Sequence, residues 1–164
     1  MVSTIPRLLV RSERYDGPSA EQLTEQVQQE YVARYGGPDT SPIDAADFVA
    51  PAGAFLIGYL AAEPVAMGGV RRHAGSTFEL RRMLVRPDCR GRGLSRQLLA
   101  ALEAAAVDLG AGRVVLETGD PQPEAVGLYR SSGYRTIEPF GYYADSPRSI
   151  HLAKDLGRAG QVSA

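Results

Sequence analysis

Apolar and polar positions alternate with two different periods along the chain, and each change of period marks an element. Residues 7–12 (RLLVRS) predict a short strand. Residues 19–35 predict a helix: Leu23, Val27, Tyr31 and Val32 fall at helical spacing, Ser19 is a candidate cap with Gln22 three residues on, and Gly36, Gly37 and Pro38 end the run. Pro42 to Val49 predicts a second short helix. Residues 54–60, 65–71 and 78–86 then read as three consecutive strands, separated by turns at Glu63-Pro64 and Gly75-Ser76. The period changes at Leu94. Leu94, Leu98, Leu102, Ala105 and Leu109 form one helical stripe, ended by Gly110. Residues 113–117 predict a strand, 123–132 a short helix with proline early and Gly133 just past its end, and 134–138 and 148–154 two final strands. The fold class is therefore α/β (α+β), with a mixed, mostly antiparallel central sheet of about six to seven strands flanked by helices.

The strand at 78–86 breaks its own alternation. Phe78 and Leu80 occupy even positions, whereas Met83 and Val85 occupy odd ones. A one-residue bulge near Arg81-Arg82 produces such a slip. A strand buried on both faces, with Leu84 also apolar, accounts for it equally.

Composition narrows the class. At 164 residues the chain suits one domain, taken as 1–156 with a short tail at 157–164. A chain of this length buries about two-thirds of its unfolded surface. One cysteine, Cys89, excludes an internal disulfide, and two histidines leave little for a metal site, so no metal is expected. The longest apolar run, around 52–62, is about half of a membrane span, and Arg7 and Arg11 interrupt the start too soon for a signal peptide. The expectation is a cytoplasmic protein, monomeric or homodimeric, without membrane or nucleic-acid partners. The net charge of −1 points the same way.

That charge is an average. Seventeen of the eighteen basic residues are arginine, and eight of them (71, 72, 81, 82, 86, 90, 92 and 96) lie in one stretch whose only acids are Glu79 and Asp88. Residues 15–63, by contrast, carry eight acids and only Arg34. The basic stretch ends in Arg90-Gly91-Arg92-Gly93-Leu94-Ser95-Arg96, between a predicted strand and a predicted helix. Glycines let backbone N–H groups turn toward a ligand, and the helix start adds unpaired N–H groups and the positive end of its dipole. This is the physics of a phosphate cradle. A Walker loop does not fit, since the only lysine is Lys154, and the dinucleotide fingerprint lacks its third glycine. A nucleic-acid surface calls for aromatics among the arginines, and Phe78 is the only one there besides His73.

Residues 85–95 (VRPDCRGRGLS) resemble the acyl-CoA pyrophosphate loop of the GNAT superfamily of N-acetyltransferases, R/Q-x-x-G-x-G/A, with Arg90 and Gly93 in place and Ser95 where glycine or alanine is usual. Residues 124–134 (EAVGLYRSSGY) resemble the family's second signature, and Gln122 stands where asparagine is common. The segments 79–83 (ELRRM), 116–119 (LETG) and 139–143 (PFGYY) are similar to a subset of small bacterial members. The likeness covers about residues 50–155.

The resemblance implies a GNAT-like fold and an acetyl-CoA-dependent acyltransferase. It would pass an acetyl group directly to a primary amine of a small molecule, amino acid or peptide within a ternary complex. It implies acetyl-CoA binding by Met83, Leu84, Val85, Arg90, Gly91, Arg92, Gly93, Leu94, Ser95, Arg96, Gln122 and Tyr129, with the pantetheine arm between strands 78–86 and 113–118. Tyr129 falls on the general-acid position, where a phenol protonates the leaving thiolate. Glu79 is the candidate base, directly or through water, with Glu117 as rival; either can instead pair with an arginine or hold the amine's charge. Cys89 reads as an incidental loop residue. His151 reads as a structural histidine or a wall of the acceptor site. Tyr31, Tyr35, Phe48, Phe140, Tyr142 and Tyr143, with Asp44, Asp47 and Asp145, are available to build that site or to fill core and loop. A non-catalytic acyl-CoA sensor on the same fold is the alternative reading.

Overall fold

The computed structural model describes residues 4–35, 42–119 and 123–157. Its elements in chain order are β1 (Leu9–Ser12), α1 (Pro18–Tyr35), a 3-10 turn (Ala45–Phe48), β2 (Gly53–Leu60), β3 (Glu63–Ala74) and β4 (Thr77–Val85). A second 3-10 turn (Pro87–Cys89), α2 (Leu94–Asp108), β5 (Arg113–Gly119), α3 (Pro123–Ser131), β6 (Arg135–Thr136) and β7 (Ser149–Asp155) follow. The strands form one seven-stranded sheet, ordered β1-β2-β3-β4-β5-β7-β6. All neighbours run antiparallel except β4 and β5. A parallel pair needs a long crossover, and α2 supplies it. Among the described residues no helix is long and apolar enough to cross a membrane.

The predicted elements appear with shifted ends, for local reasons. β1 starts at Leu9 because the Leu8 N–H donates to Gln97 Oε1 (2.9 Å) and the Gln97 amide donates to the Pro6 carbonyl (2.9 Å), pinning this segment to α2. Ser19 does not cap α1. The helix opens at Pro18, with the Glu21 N–H donating to the Gly17 carbonyl, and the Ser19 hydroxyl instead meets the Tyr59 hydroxyl at 3.0 Å. The glycine-proline stop at 36–38 lies outside the described residues. The helix expected at 42–49 is a single 3-10 turn, capped by Asp44 on the Ala46 N–H at 3.0 Å.

Each face of the sheet carries its own core. Phe78, Leu80, Leu116 and Leu152 pack with Leu98 and Leu102 of α2 and Tyr129 of α3. On the other face Phe55, Ile57 and Met67 pack with Leu23 of α1 and Phe48. Leu98 and Leu102 are fully buried, so truncating either to alanine costs about 2–5 kcal/mol. The α2 stripe is wider than the predicted one, because Leu99 and Ala106 are buried too.

The break in β4 is a bulge. Met67 pairs with Leu84 but Gly69 pairs with Arg81, so Gly68 alone opposes Arg82 and Met83. Arg82 takes the extra residue's strain at φ +56°. Gly68 is needed there, since a Cβ would meet Leu102 Cδ1 at 2.7 Å. The slip turns Met83 and Val85 onto the same side as Phe78 and Leu80, facing α2.

Candidate active site

β4 and β5 pair over only three positions, Thr77–Glu79 against Arg113–Val115. Beyond them β5 stays with β7 through Gly119, while β4 stays with β3 through Val85. The sheet therefore opens into a wedge. A cleft of about 300 Å³ lies against the free side of β4. Met83, Leu84 and Val85 line it from β4, Ala125, Leu128 and Tyr129 from α3, and Val27 and Glu30 from α1.

The glycine turn forms one end of this cleft, through Arg90, Gly91, Gly93, Leu94, Ser95 and Arg96. Gly91 and Gly93 sit at φ +77° and +78°, which side chains disfavour, and Gly93 is the N-cap of α2. The first turn of α2 carries no acid, so its unpaired N–H groups and dipole meet no counter-charge from the helix itself. The arginines differ from one another. Arg90 donates from both terminal nitrogens to the Glu30 carboxylate, 2.7 Å on each arm, and from Nε to the Val85 carbonyl at 3.0 Å. Arg96 donates to the Ser131 and Ser132 hydroxyls (2.9 and 3.2 Å), tying the start of α2 to the end of α3. Arg92 is exposed and is not among the cleft's lining residues. Arg86 braces the preceding loop through Asp88 (2.6 Å) and Glu63 (3.3 Å). Cys89 is buried with its sulfur 3.5 Å from Arg86 and 3.6 Å from Asp88, and meets no histidine among the described residues.

Tyr129 is 7% exposed. Its ring stacks edge-on with Tyr134 at 5.7 Å, and its hydroxyl points at Met83 Sδ, 3.8 Å away, so the phenol stands beside the open side of β4. Glu79 reaches the wedge from the other face. It alternates with Phe78 and Leu80, is 7% exposed, and is held by Arg71 (3.0 Å) and Arg81 (3.6 Å). Arg71 also reaches Asp47 of the first 3-10 turn at 3.2 Å. The structure thus brings ten of the predicted binding residues to one cleft and leaves Arg92 and Glu79 outside its lining. Gln122, and the side chains of Tyr31 and Tyr35, lie outside the described residues.

On the Glu79 face, register places Glu117 of β5 beside His151 of β7. His151 is 3% exposed. The Phe140 N–H donates to its Nδ1 at 3.4 Å, and the Phe140 ring packs edge-on against the imidazole at 5.1 Å. Nε2 is buried and has no hydrogen-bond partner among the described residues. Burial holds the imidazole below its ordinary pKa, against the opposing pull of the Tyr143 carbonyl and the Glu79 charge.

Sequence reasoning missed the contribution of α1. Val27 and Glu30 share a helix face by their three-residue spacing, but nothing local says that this face meets the glycine turn. Among the described residues no cluster of three or more histidine, cysteine or acidic side chains is arranged to hold a metal.

A model of the acetyltransferase (GNAT) family matches residues 20–134. An IAA acetyltransferase of Azospirillum brasilense is 28% identical over 153 residues, 93% of this chain and all of that protein. A solved Klebsiella pneumoniae structure, assigned to the acyl-CoA N-acyltransferases, superposes with a TM-score of 0.76 at 26% identity over 92% of this chain and 98% of that one. A GNAT acetyltransferase from Elizabethkingia anophelis, solved with acetyl-CoA bound, shares the fold with a TM-score of 0.67 at 15% identity, covering 91% of this chain and 98% of that one.

Proposed function

The chain belongs to the GNAT acetyltransferase family and is an acyltransferase, and from that premise we propose that it passes an acetyl group from acetyl-CoA to a primary amine of a small molecule, amino acid or peptide, directly within a ternary complex. The observation that carries this reading is the cleft itself. The free side of β4, an acid-free helix start behind two left-handed glycines, and a buried phenol converge on about 300 Å³. Acetyl-CoA supplies a thioester-activated acetyl group and a compact polyanionic handle. The Elizabethkingia relative, with acetyl-CoA bound, supports the choice of donor.

The chain's own residues divide the work. N–H groups at Gly91, Gly93, Leu94 and Ser95 donate to the pyrophosphate oxygens, with Arg90, Arg92 and Arg96 adding positive charge. Backbone groups of Met83, Leu84 and Val85 align the arm as a further strand would, and exclude water from the wedge. A backbone N–H on this stretch polarises the acyl carbonyl. Tyr129 Oη donates the proton that the departing sulfur requires. Glu79, fixed by Arg71 and Arg81, takes the amine's proton directly or through a water, with Glu117 as the alternative base.

The test is a thiol-release assay with acetyl-CoA and a panel of amines, amino acids and peptides. Saturable, amine-dependent CoA release is expected. Tight acetyl-CoA binding with no turnover across the panel would replace this reading with a sensor.

A further inference from the structure

Tyr129 enters the cleft from α3, and the side chain behind it is tied down by more than packing. Tyr134 closes the turn after α3. Its N–H donates to the Tyr129 carbonyl (3.0 Å), and its ring meets the Tyr129 ring edge-on at 5.7 Å. Tyr134 is 2% exposed, so an apolar ring would fill the place as well. Instead its hydroxyl donates to Glu103 Oε2 of α2 at 2.8 Å, and the same carboxylate accepts from Lys154 Nζ of β7 at 2.9 and 3.2 Å. Lys154, the chain's only lysine, also lies over the Tyr134 ring, 5.8 Å from its centre. Its stem runs past Gly133, where an added Cβ would stand 3.5 Å from Cε. Burial first, and then the Glu103 charge, hold the Tyr134 phenol well above its ordinary pKa, so it remains a donor.

Stability alone does not ask for this network. The Glu103 and Lys154 side chains are 17% and 28% exposed, and in so shielded a place lost hydration offsets much of an ion pair's attraction. What a satisfied polar network does supply is direction. A ring that is only packed can rock. Tyr134 is pinned at its backbone N–H and at its hydroxyl, so it offers Tyr129 one fixed surface, and the Tyr129 hydroxyl stands beside Met83. Proton delivery is sensitive to such placement, since a shift of about 1 Å can cost about a hundredfold in rate.

We propose that Glu103, acting through Tyr134, is a positioning residue for acyl transfer: the Lys154–Glu103–Tyr134 network fixes the ring against which Tyr129 packs and so keeps the Tyr129 hydroxyl aimed at the departing sulfur. This rests on the reading of Tyr129 as proton donor given above. Glu103 and Tyr134 are not among the cleft's lining residues, and neither takes part in the proton transfers.

The experiment measures kcat and acetyl-CoA affinity at a temperature where every variant is folded. Tyr134→Phe keeps the ring and removes only the hydroxyl. Its kcat should fall about tenfold while acetyl-CoA affinity changes less than about twofold. Glu103→Leu should do the same, and Glu103→Gln, which keeps an acceptor for the hydroxyl, should recover most of the loss. In the Tyr129→Phe background, Tyr134→Phe should cost less than about twofold more, because the network acts through a hydroxyl already removed. A second readout is independent of turnover. In protein with ¹³C-labelled tyrosine rings, the Tyr129 signal, assigned by its absence from Tyr129→Phe, should move in Glu103→Leu and return toward its wild-type position in Glu103→Gln. Full kcat in Tyr134→Phe, equal losses in the two backgrounds, or a Tyr129 signal unmoved by Glu103→Leu would overturn the proposal and leave acyl transfer intact. A Tyr129→Phe variant as active as the wild type, or turnover of no amine at all, would overturn the underlying reading and the proposal with it.

Discussion

Glu30 and Arg90, sixty residues apart in sequence, close a bidentate ion pair at 2.7 Å on both arms inside the lining of the cleft. The pair has two consequences. It fastens α1 to the glycine turn, and it places a carboxylate where a pyrophosphate is proposed to bind. Both side chains keep partial solvent contact (23% and 35% exposed), so the pair is partly screened. Glu30→Gln removes the competing charge and should tighten acetyl-CoA binding about two- to fivefold, read by calorimetry. Arg90→Ala should weaken it. Weaker binding in Glu30→Gln would instead make Glu30 the strut that holds Arg90 in place.

Gly93→Ala tests the helix cap. The nearest atom to an added Cβ is Ile5 Cγ2 at 3.6 Å, an ordinary contact, so space is not the obstacle. The obstacle is φ at +78°, which costs an alanine about 1–2 kcal/mol. The variant should melt a few degrees lower and bind acetyl-CoA more weakly, while Leu99→Ala should lower the melting point without the same specific loss of affinity.

Tyr129→Phe keeps the ring that packs against Tyr134 and removes only the hydroxyl beside Met83. Turnover should fall about a hundredfold while acetyl-CoA affinity changes less than about twofold. Equal losses in both would remove Tyr129 from the proton transfer.

Much of this was legible in the sequence, and particular residues show where legibility stops. The slip between Phe78/Leu80 and Met83/Val85 was visible because alternation in a strand reports which face a residue meets, but it fitted a doubly buried strand as well as a bulge, and only the pairing register decides for the bulge. Arg90 to Arg96 stood out because glycine turns and helix starts are local features. Glu30 was not legible, since its meeting with Arg90 depends on how α1 crosses the sheet. Ser19 read as a cap, but tertiary contact gave its hydroxyl to Tyr59. His151 was visible as a candidate, yet its burial and the Phe140 N–H that its Nδ1 accepts follow from tertiary packing.

The same histidine makes stability depend on pH. Its pKa is lowered in the folded state, so below about 6.5 the unfolded chain binds a proton that the folded chain resists. The contribution is intact above that value and is lost as pH falls. Burial sets the direction, and the Tyr143 backbone and the Glu79 charge oppose it. Between about pH 7.5 and pH 5.5 the wild-type melting point should fall more steeply than that of His151→Phe. Parallel curves would show that His151 titrates alike in both states.

The central claim is acetyl transfer to nitrogen, and the most direct measurement follows the acetyl group itself. With ¹³C-acetyl-CoA and an amine that stimulates thiol release, mass spectrometry should find one labelled N-acetyl product for each CoA freed, and Tyr129→Phe should slow both together. CoA release with labelled acetate as the product, or no release with any amine despite bound acetyl-CoA, would contradict the account.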